Sequence, residues 1–132
     1  MRRDAKPRHN EIVRIVLKIV DRTLGILLLI GGVLHGLGSF KAYASSAPLQ
    51  VWALSGSVAA LLLAAINLLR VDRPADRALA WISLAGCIAW IAVAIAFGLT
   101  LDSALDPRVL YHVIVTVGLA AFSLNSALRR RG

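Results

Sequence analysis

Cysteine and acidic residues are scarce in this chain. Its 132 residues include one cysteine and seven acidic residues. The single thiol, Cys87, excludes an internal disulfide and a cysteine-based zinc site, and we interpret it as a small apolar core residue. The sequence also has no P-loop, no nucleophile–base pair and no carboxylate pair, so no residue pattern supports catalysis and we expect no enzyme activity.

Charged side chains are absent from four long apolar runs, residues 23–40, 48–69, 78–101 and 109–128. Each run has 18 to 24 residues, and a helix needs about 20 residues to cross a hydrocarbon core of roughly 30 Å. Lipid offers the backbone no hydrogen-bond partner, so each run is expected to be a helix. Because ion paths in membranes are marked by buried ionisable groups, their absence argues against a transporter with a midplane site.

The positive charge of the chain is confined to a few places. The net charge is +8, and 13 of the 15 basic residues fall within residues 2–22, 70–77 and 129–131. With four spans, these three segments share one side of the membrane, and the positive-inside rule makes that side cytoplasmic. We therefore predict a multi-pass bacterial inner-membrane protein with both termini in the cytoplasm. The basic residues would bind anionic lipid headgroups, and no nucleic acid is expected.

Short polar breaks separate the four runs, which makes consecutive helices antiparallel neighbours. The predicted fold is an all-α membrane protein, an up-down-up-down four-helix transmembrane bundle. Residues 1–22 form a basic N-terminal arm with an amphipathic helix, and residues 23–132 form the transmembrane domain. The amphipathic helix would lie on the cytoplasmic leaflet. Alternatively, one helix runs straight from residue 11 to residue 40 and projects about three turns into the cytoplasm.

The first run also resembles a signal peptide. An apolar stretch at residues 24–39 precedes Ala42-Tyr43-Ala44, which has the form of an A-x-A cleavage site. The basic segment before it is long, however, and the apolar stretch continues to Phe40. We therefore expect an uncleaved first span.

Small residues recur at four-residue spacing on two of the runs. Gly32 and Gly36 form a G-x-x-x-G motif on the first, and Gly56 and Ala60 follow the same spacing on the second. Helices in lipid associate by close backbone approach at such positions. We predict that these four residues pack helices together within one bundle, with a homodimer contact as the alternative.

Two histidines are expected at matching depth near the outer surface. His35 lies about 7 Å from the outer end of the first run, and His112 lies about 5 Å inside the fourth. Ser55 and Tyr111 fall near the same level as possible neighbours. A histidine pair on different helices is the minimum for axial ligation of haem b or for half of a metal site. No further ligand spacing supports a metal ion, so we favour a structural polar cluster and leave the cofactor unassigned.

A second polar layer is expected near the inner surface, where hydrogen bonds between helices would serve structure. Its members are Asn67, Ser83, Ser123 and Asn125.

These features favour a protein that acts by binding. The leading interpretation is an accessory or assembly subunit of the inner membrane, which contacts lipid and either another membrane protein or further copies of itself. The alternative is a haem b or metal carrier using His35 and His112 on the periplasmic side. A second alternative is a holin-like or channel-forming oligomer, although the apolar middle of each run offers no hydrated lining.

Overall fold

The computed structural model describes residues 5–101 and 105–129, and this part of the chain is entirely helical apart from short turns. Its four helices are α1 (Ala5–Ala42), α2 (Ala47–Asp72), α3 (Arg77–Thr100) and α4 (Pro107–Leu128). Three of them, α2, α3 and α4, are long and apolar enough to cross a membrane. The prediction of an all-helical fold built on apolar helices is therefore confirmed. The third predicted break lies partly in residues 102–104, outside the described residues.

Local side-chain chemistry sets the helix ends. Pro48 occupies the first turn of α2, where its missing N–H costs no helical hydrogen bond. The carboxylate of Asp106 caps α4 by accepting from the backbone N–H of Arg108 at 2.9 Å. The Arg108 guanidinium and this N–H lower the pKa of Asp106 to about 2. At the start of α3, the carboxylate of Asp76 is the cap and accepts from the N–H of Leu79 at 3.0 Å.

Consecutive helices run antiparallel; along α1, for example, Gly25 lies against Leu68 and Gly36 lies against Ser57 of α2. The most extensive contacts are those within two hairpins, α1–α2 and α3–α4. The two hairpins pack against each other, mainly where α1 contacts α4 and α2 contacts α3. Apolar side chains from all four helices form the shared core: Leu28, Leu63, Ala64, Cys87, Val115 and Leu119. Cys87 is fully buried in this core, which confirms the prediction that it is a small apolar core residue.

Helix α1 is the longest element and continues without a break through residue 22. It has 38 residues, which is about 57 Å at 1.5 Å per residue. Of the two arrangements that the sequence left open, the structure shows the straight continuation. Every residue from His9 to Val20 is exposed, so none of the other described helices covers this part of α1.

The predicted packing glycines of α1 lie against α2. A Cβ on Gly32 would stand 3.1 Å from Leu61 Cδ2, and one on Gly36 would stand 2.7 Å from Ser57 Oγ. The Ser57 hydroxyl donates to the carbonyl of Gly32 at 2.6 Å. This approach leaves little room for a larger side chain on either glycine.

On α2 the two predicted small residues have different surroundings. Ala60 is fully buried and contributes to the close approach at Gly32. A Cβ on Gly56 would meet the ring of His35 at 3.5 Å, an ordinary van der Waals distance. Gly56 therefore faces a histidine side chain of α1 rather than its backbone.

Candidate functional site

Polar side chains, all of them buried except the half-buried Ser126, gather at the end of the structure where α2 ends and α3 begins. All four helices contribute to this set, which we call the polar cluster: Asp21, Asn67, Arg70, Ser83, Ser123 and Ser126. Polar groups withdrawn from solvent need internal partners, so the hydrogen bonds of the cluster determine what it does.

An ion pair between α1 and α2 dominates the polar cluster. Arg70 is 2% exposed and Asp21 is 7% exposed. The guanidinium donates to both carboxylate oxygens, from Nη1 to Oδ2 at 3.0 Å and from Nη2 to Oδ1 at 2.6 Å. This two-bond geometry is the strongest form of the arginine–carboxylate interaction. It is also required here, because either charge alone would be buried without compensation.

Asn67 links the ion pair to the other helices. Its Oδ1 accepts from the Ser83 hydroxyl at 2.8 Å and from Arg70 Nη2 at 3.3 Å. Its Nδ2 donates to the carbonyl of Leu63 at 3.0 Å. The hydroxyls of Ser83 and Ser123 lie 2.8 Å apart and join α3 to α4. The network therefore connects α1, α2, α3 and α4 at one level.

The hydrogen bonds of the polar cluster indicate a structural function. The positive charge of Arg70 is matched by Asp21, and the oxygen atoms of Asn67, Ser83 and Ser123 are engaged with one another. Among the described residues, no group of three or more histidine, cysteine or acidic side chains is placed to hold a metal ion. The cluster thus fixes the relative positions of the helix ends.

The sequence predicted part of this cluster. Asn67, Ser83 and Ser123 meet as expected from their shared depth, whereas Asn125 is exposed. Arg70 was interpreted as a charge facing lipid headgroups, and this was wrong because its side chain points inward to Asp21. One signal was present in the sequence: the two residues have opposite charges and flank the inner ends of adjacent antiparallel runs.

The second candidate region surrounds His112 on α4. The indole Nε1 of Trp90 donates to His112 Nδ1 at 3.4 Å, and the rings of Trp90 and Tyr111 both contact the imidazole edge to face. The Tyr111 hydroxyl donates to the carbonyl of Leu27 at 2.6 Å, which ties α4 to α1. A Cβ on Gly31 would stand 3.0 Å from His112 Cε1, so the imidazole packs directly on α1.

The other predicted members of the outer layer have different neighbours. His35 lies against Gly56 of α2. The backbone carbonyl of His35 accepts a hydrogen bond from the Ser39 hydroxyl at 2.7 Å. Ser55 is exposed and donates to the carbonyl of Trp52 at 2.6 Å. His35 therefore packs towards α2, while His112 is enclosed by α1, α3 and Tyr111.

The hydrogen bond from Trp90 has a chemical consequence for the haem or metal hypothesis. A neutral imidazole that accepts at Nδ1 carries its proton on Nε2. Ligation through Nε2 would require that proton to move and the indole bond to break, whereas histidine ligands normally donate from the nitrogen that is not bound to the metal. In this structure Trp90 and His112 form a polar contact between α3 and α4, at the long end of the hydrogen-bond range.

The chain was compared with protein families, curated proteins and solved structures. No protein-family model matches the chain, and neither does a curated protein or a solved structure.

Proposed function

We propose that this chain is a small bacterial inner-membrane protein that acts by binding a partner through the N-terminal part of α1. In this proposal all four helices span the membrane as an up-down-up-down bundle, and both termini lie in the cytoplasm. Residues 23–40 of α1 supply the fourth span, since they contain no charged side chain. The exposed basic residues at the same end of the bundle, Arg73, Arg77 and Arg129, then contact anionic headgroups.

One observation carries the proposal, namely the exposure of residues 9–20 of α1, which we call the exposed segment. Seven branched apolar side chains of this segment are each more than 40% exposed: Ile12, Val13, Ile15, Val16, Leu17, Ile19 and Val20. An apolar surface of this kind on one continuous helix is typical of a site that binds another molecule.

The exposed segment lies beyond the ends of the other helices. Asp21 pairs with Arg70 and Arg22 pairs with Asp72, so residues 21–22 mark the level at which α2 ends. The carbonyl of Ala127 accepts from Arg77 Nε at 2.9 Å, which places the end of α4 beside the start of α3. Residues 5–20 therefore extend about 24 Å past this level as helix. A straight helix in this position does not lie flat on the leaflet, so a protein partner explains its apolar face better than lipid does.

The test is the mass of the complex extracted from membranes in a mild detergent. The full chain should be released in a complex heavier than one 14.1 kDa protein, and deletion of residues 2–20 should reduce it to a single chain. Native mass spectrometry reports both masses. Carbonate extraction serves as the control that the shortened chain remains in the membrane. A full chain that is already a single copy, or a complex that survives the deletion, contradicts the proposal.

A further inference from the structure

The start of α3 and the end of α4 form a basic corner of the bundle. The Nε of Arg77, the first residue of α3, donates to the carbonyl of Ala127 at 2.9 Å. Arg129 follows two residues later as the C-cap residue of α4, so the two arginines stand at the same corner. Both are exposed. Together with Trp81, which lies one turn further along α3, we call them the α3–α4 corner.

The hydrogen bond to Ala127 fixes one side of the Arg77 guanidinium and leaves the other side available. It uses only Nε, and within the described part of the chain neither Nη atom of Arg77 has a partner. The planar fork of an arginine matches two oxygen atoms of a phosphate or a carboxylate. Because the fork is already held in place, less entropy is lost when such a group binds.

The positive charge of the corner is not balanced within the protein. The carboxylates of Asp21 and Asp72 are already bound by other arginines. The carboxylate of Asp76 caps α3 by accepting from a backbone N–H. In the described ranges, no carboxylate forms an ion pair with Arg77 or Arg129. An anion at the corner would therefore meet two guanidinium groups without displacing an internal partner.

The face of α3 that leads inward from the corner has the same order of polarity as a phospholipid. Its residues follow one another at spacings of four and three, so they share one side of the helix: Arg77, Trp81, Ala85 and Ile88. All four are exposed, Trp81 by 47% and Ile88 by 58%. A charged group, an aromatic ring at the interface and apolar side chains match the phosphate, the glycerol region and the acyl chains.

We propose that the α3–α4 corner binds one anionic phospholipid, with its phosphate between Arg77 and Arg129 and its glycerol region against Trp81. This inference rests on the membrane placement in the proposed function, and it adds a defined site to the general attraction between basic residues and headgroups. A free anion would satisfy the two arginines but would leave the exposed face of Trp81 and Ile88 uncovered. A phospholipid covers the whole face.

Native mass spectrometry of the full chain in a mild detergent tests the inference, with phosphatidylglycerol as the probe. Each chain should retain one phosphatidylglycerol. Phosphatidylcholine, whose phosphate is balanced by choline, should bind about tenfold more weakly. Arg77→Gln and Arg129→Gln should each lower the affinity for phosphatidylglycerol about tenfold, since each removes a charge-assisted hydrogen bond. Lys41→Gln is the control, because it removes one exposed positive charge at the other end of the bundle and should leave the affinity unchanged.

Arg77→Lys separates a defined site from a diffuse attraction between charges. Lysine keeps the positive charge but lacks the planar fork, so this variant should bind the lipid about as weakly as Arg77→Gln does. Arg129 forms no hydrogen bond with the other described residues. Arg129→Gln therefore reports on the site even where replacement of Arg77 loosens the end of α4, which circular dichroism of each variant would reveal.

Four outcomes would overturn the inference. Chains that retain no phosphatidylglycerol have no such site. Equal losses in Lys41→Gln and Arg129→Gln would show that binding follows net charge alone. Equal affinity for the two lipids would show that only the apolar face binds. Displacement of the lipid by inorganic phosphate would identify a site for a free anion.

The same spectra keep this inference separate from the proposed function, because they also give the number of chains in the complex. A complex that survives deletion of residues 2–20 refutes the proposed function and leaves the lipid site intact. A complex that the deletion dissociates, built from chains without bound lipid, refutes only the lipid site.

Discussion

Replacing Arg70 by methionine is expected to lower the free energy of unfolding by about 3–5 kcal/mol. The substitution leaves the Asp21 carboxylate in a position that is 7% exposed, with its two guanidinium hydrogen bonds removed. An uncompensated buried charge is among the most destabilising changes that a single substitution produces. The measurement is unfolding of the purified protein in mixed detergent with increasing dodecyl sulfate, followed by circular dichroism.

The neighbouring pair of Arg22 and Asp72 is the control, because its side chains are 47% and 56% exposed. Arg22→Met should cost about 0–1 kcal/mol, as exposed ion pairs do. The double variant Asp21→Leu with Arg70→Met should recover most of the loss, since an apolar pair of similar volume replaces both charges. If Arg70→Met costs no more than Arg22→Met, the polar cluster does not hold the helix ends together.

Replacing Gly31 by leucine is expected to cost about 1–3 kcal/mol through overpacking. A Cβ at this position would already stand 2.7 Å from Tyr111 Cε1 and 3.0 Å from His112 Cε1. Tyr111 has little freedom to move, because its hydroxyl is bound to the carbonyl of Leu27 at 2.6 Å. The same unfolding experiment measures the loss, and the near-ultraviolet circular dichroism of the aromatic residues should change with it.

Gly38 provides the matched substitution on the same helix. A Cβ on Gly38 would meet no atom within 4 Å, so Gly38→Leu should be neutral or should stabilise α1 by up to about 1 kcal/mol through helix propensity. Equal losses for the two leucine variants would show that the contact between α1 and α4 at Gly31 is not close.

The helices of this protein were predictable because backbone groups within lipid must form hydrogen bonds inside their own segment. Runs of about 20 apolar residues without charge have few alternatives to helix, and the Asp106 and Pro107 pair marks a helix start by local chemistry alone. The exposure of residues 9–20, by contrast, is shown only by the structure.

The polar contacts were less predictable, because sequence position gives the depth of a residue in a span but not the direction of its side chain around the helix. His35 and His112 illustrate the difference. The sequence predicts matching depths for the two, and the structure adds the direction of each side chain: the His35 ring lies against Gly56 and the His112 ring against Gly31. Similarly, Arg70 cannot be distinguished in the sequence from other basic residues at helix ends. The structure shows that its side chain points towards Asp21.

The orientation of α1 is the central claim of this account, and site-directed labelling tests it most directly. Single cysteines at Leu17, Ser45 and Ala75, all exposed positions, are introduced with Cys87 replaced by alanine and treated with a membrane-impermeant thiol reagent. We predict that Leu17→Cys and Ala75→Cys react only in inverted vesicles and that Ser45→Cys reacts only in right-side-out vesicles. Labelling of Leu17→Cys from the same side as Ser45→Cys would contradict a cytoplasmic exposed segment joined to a first transmembrane span.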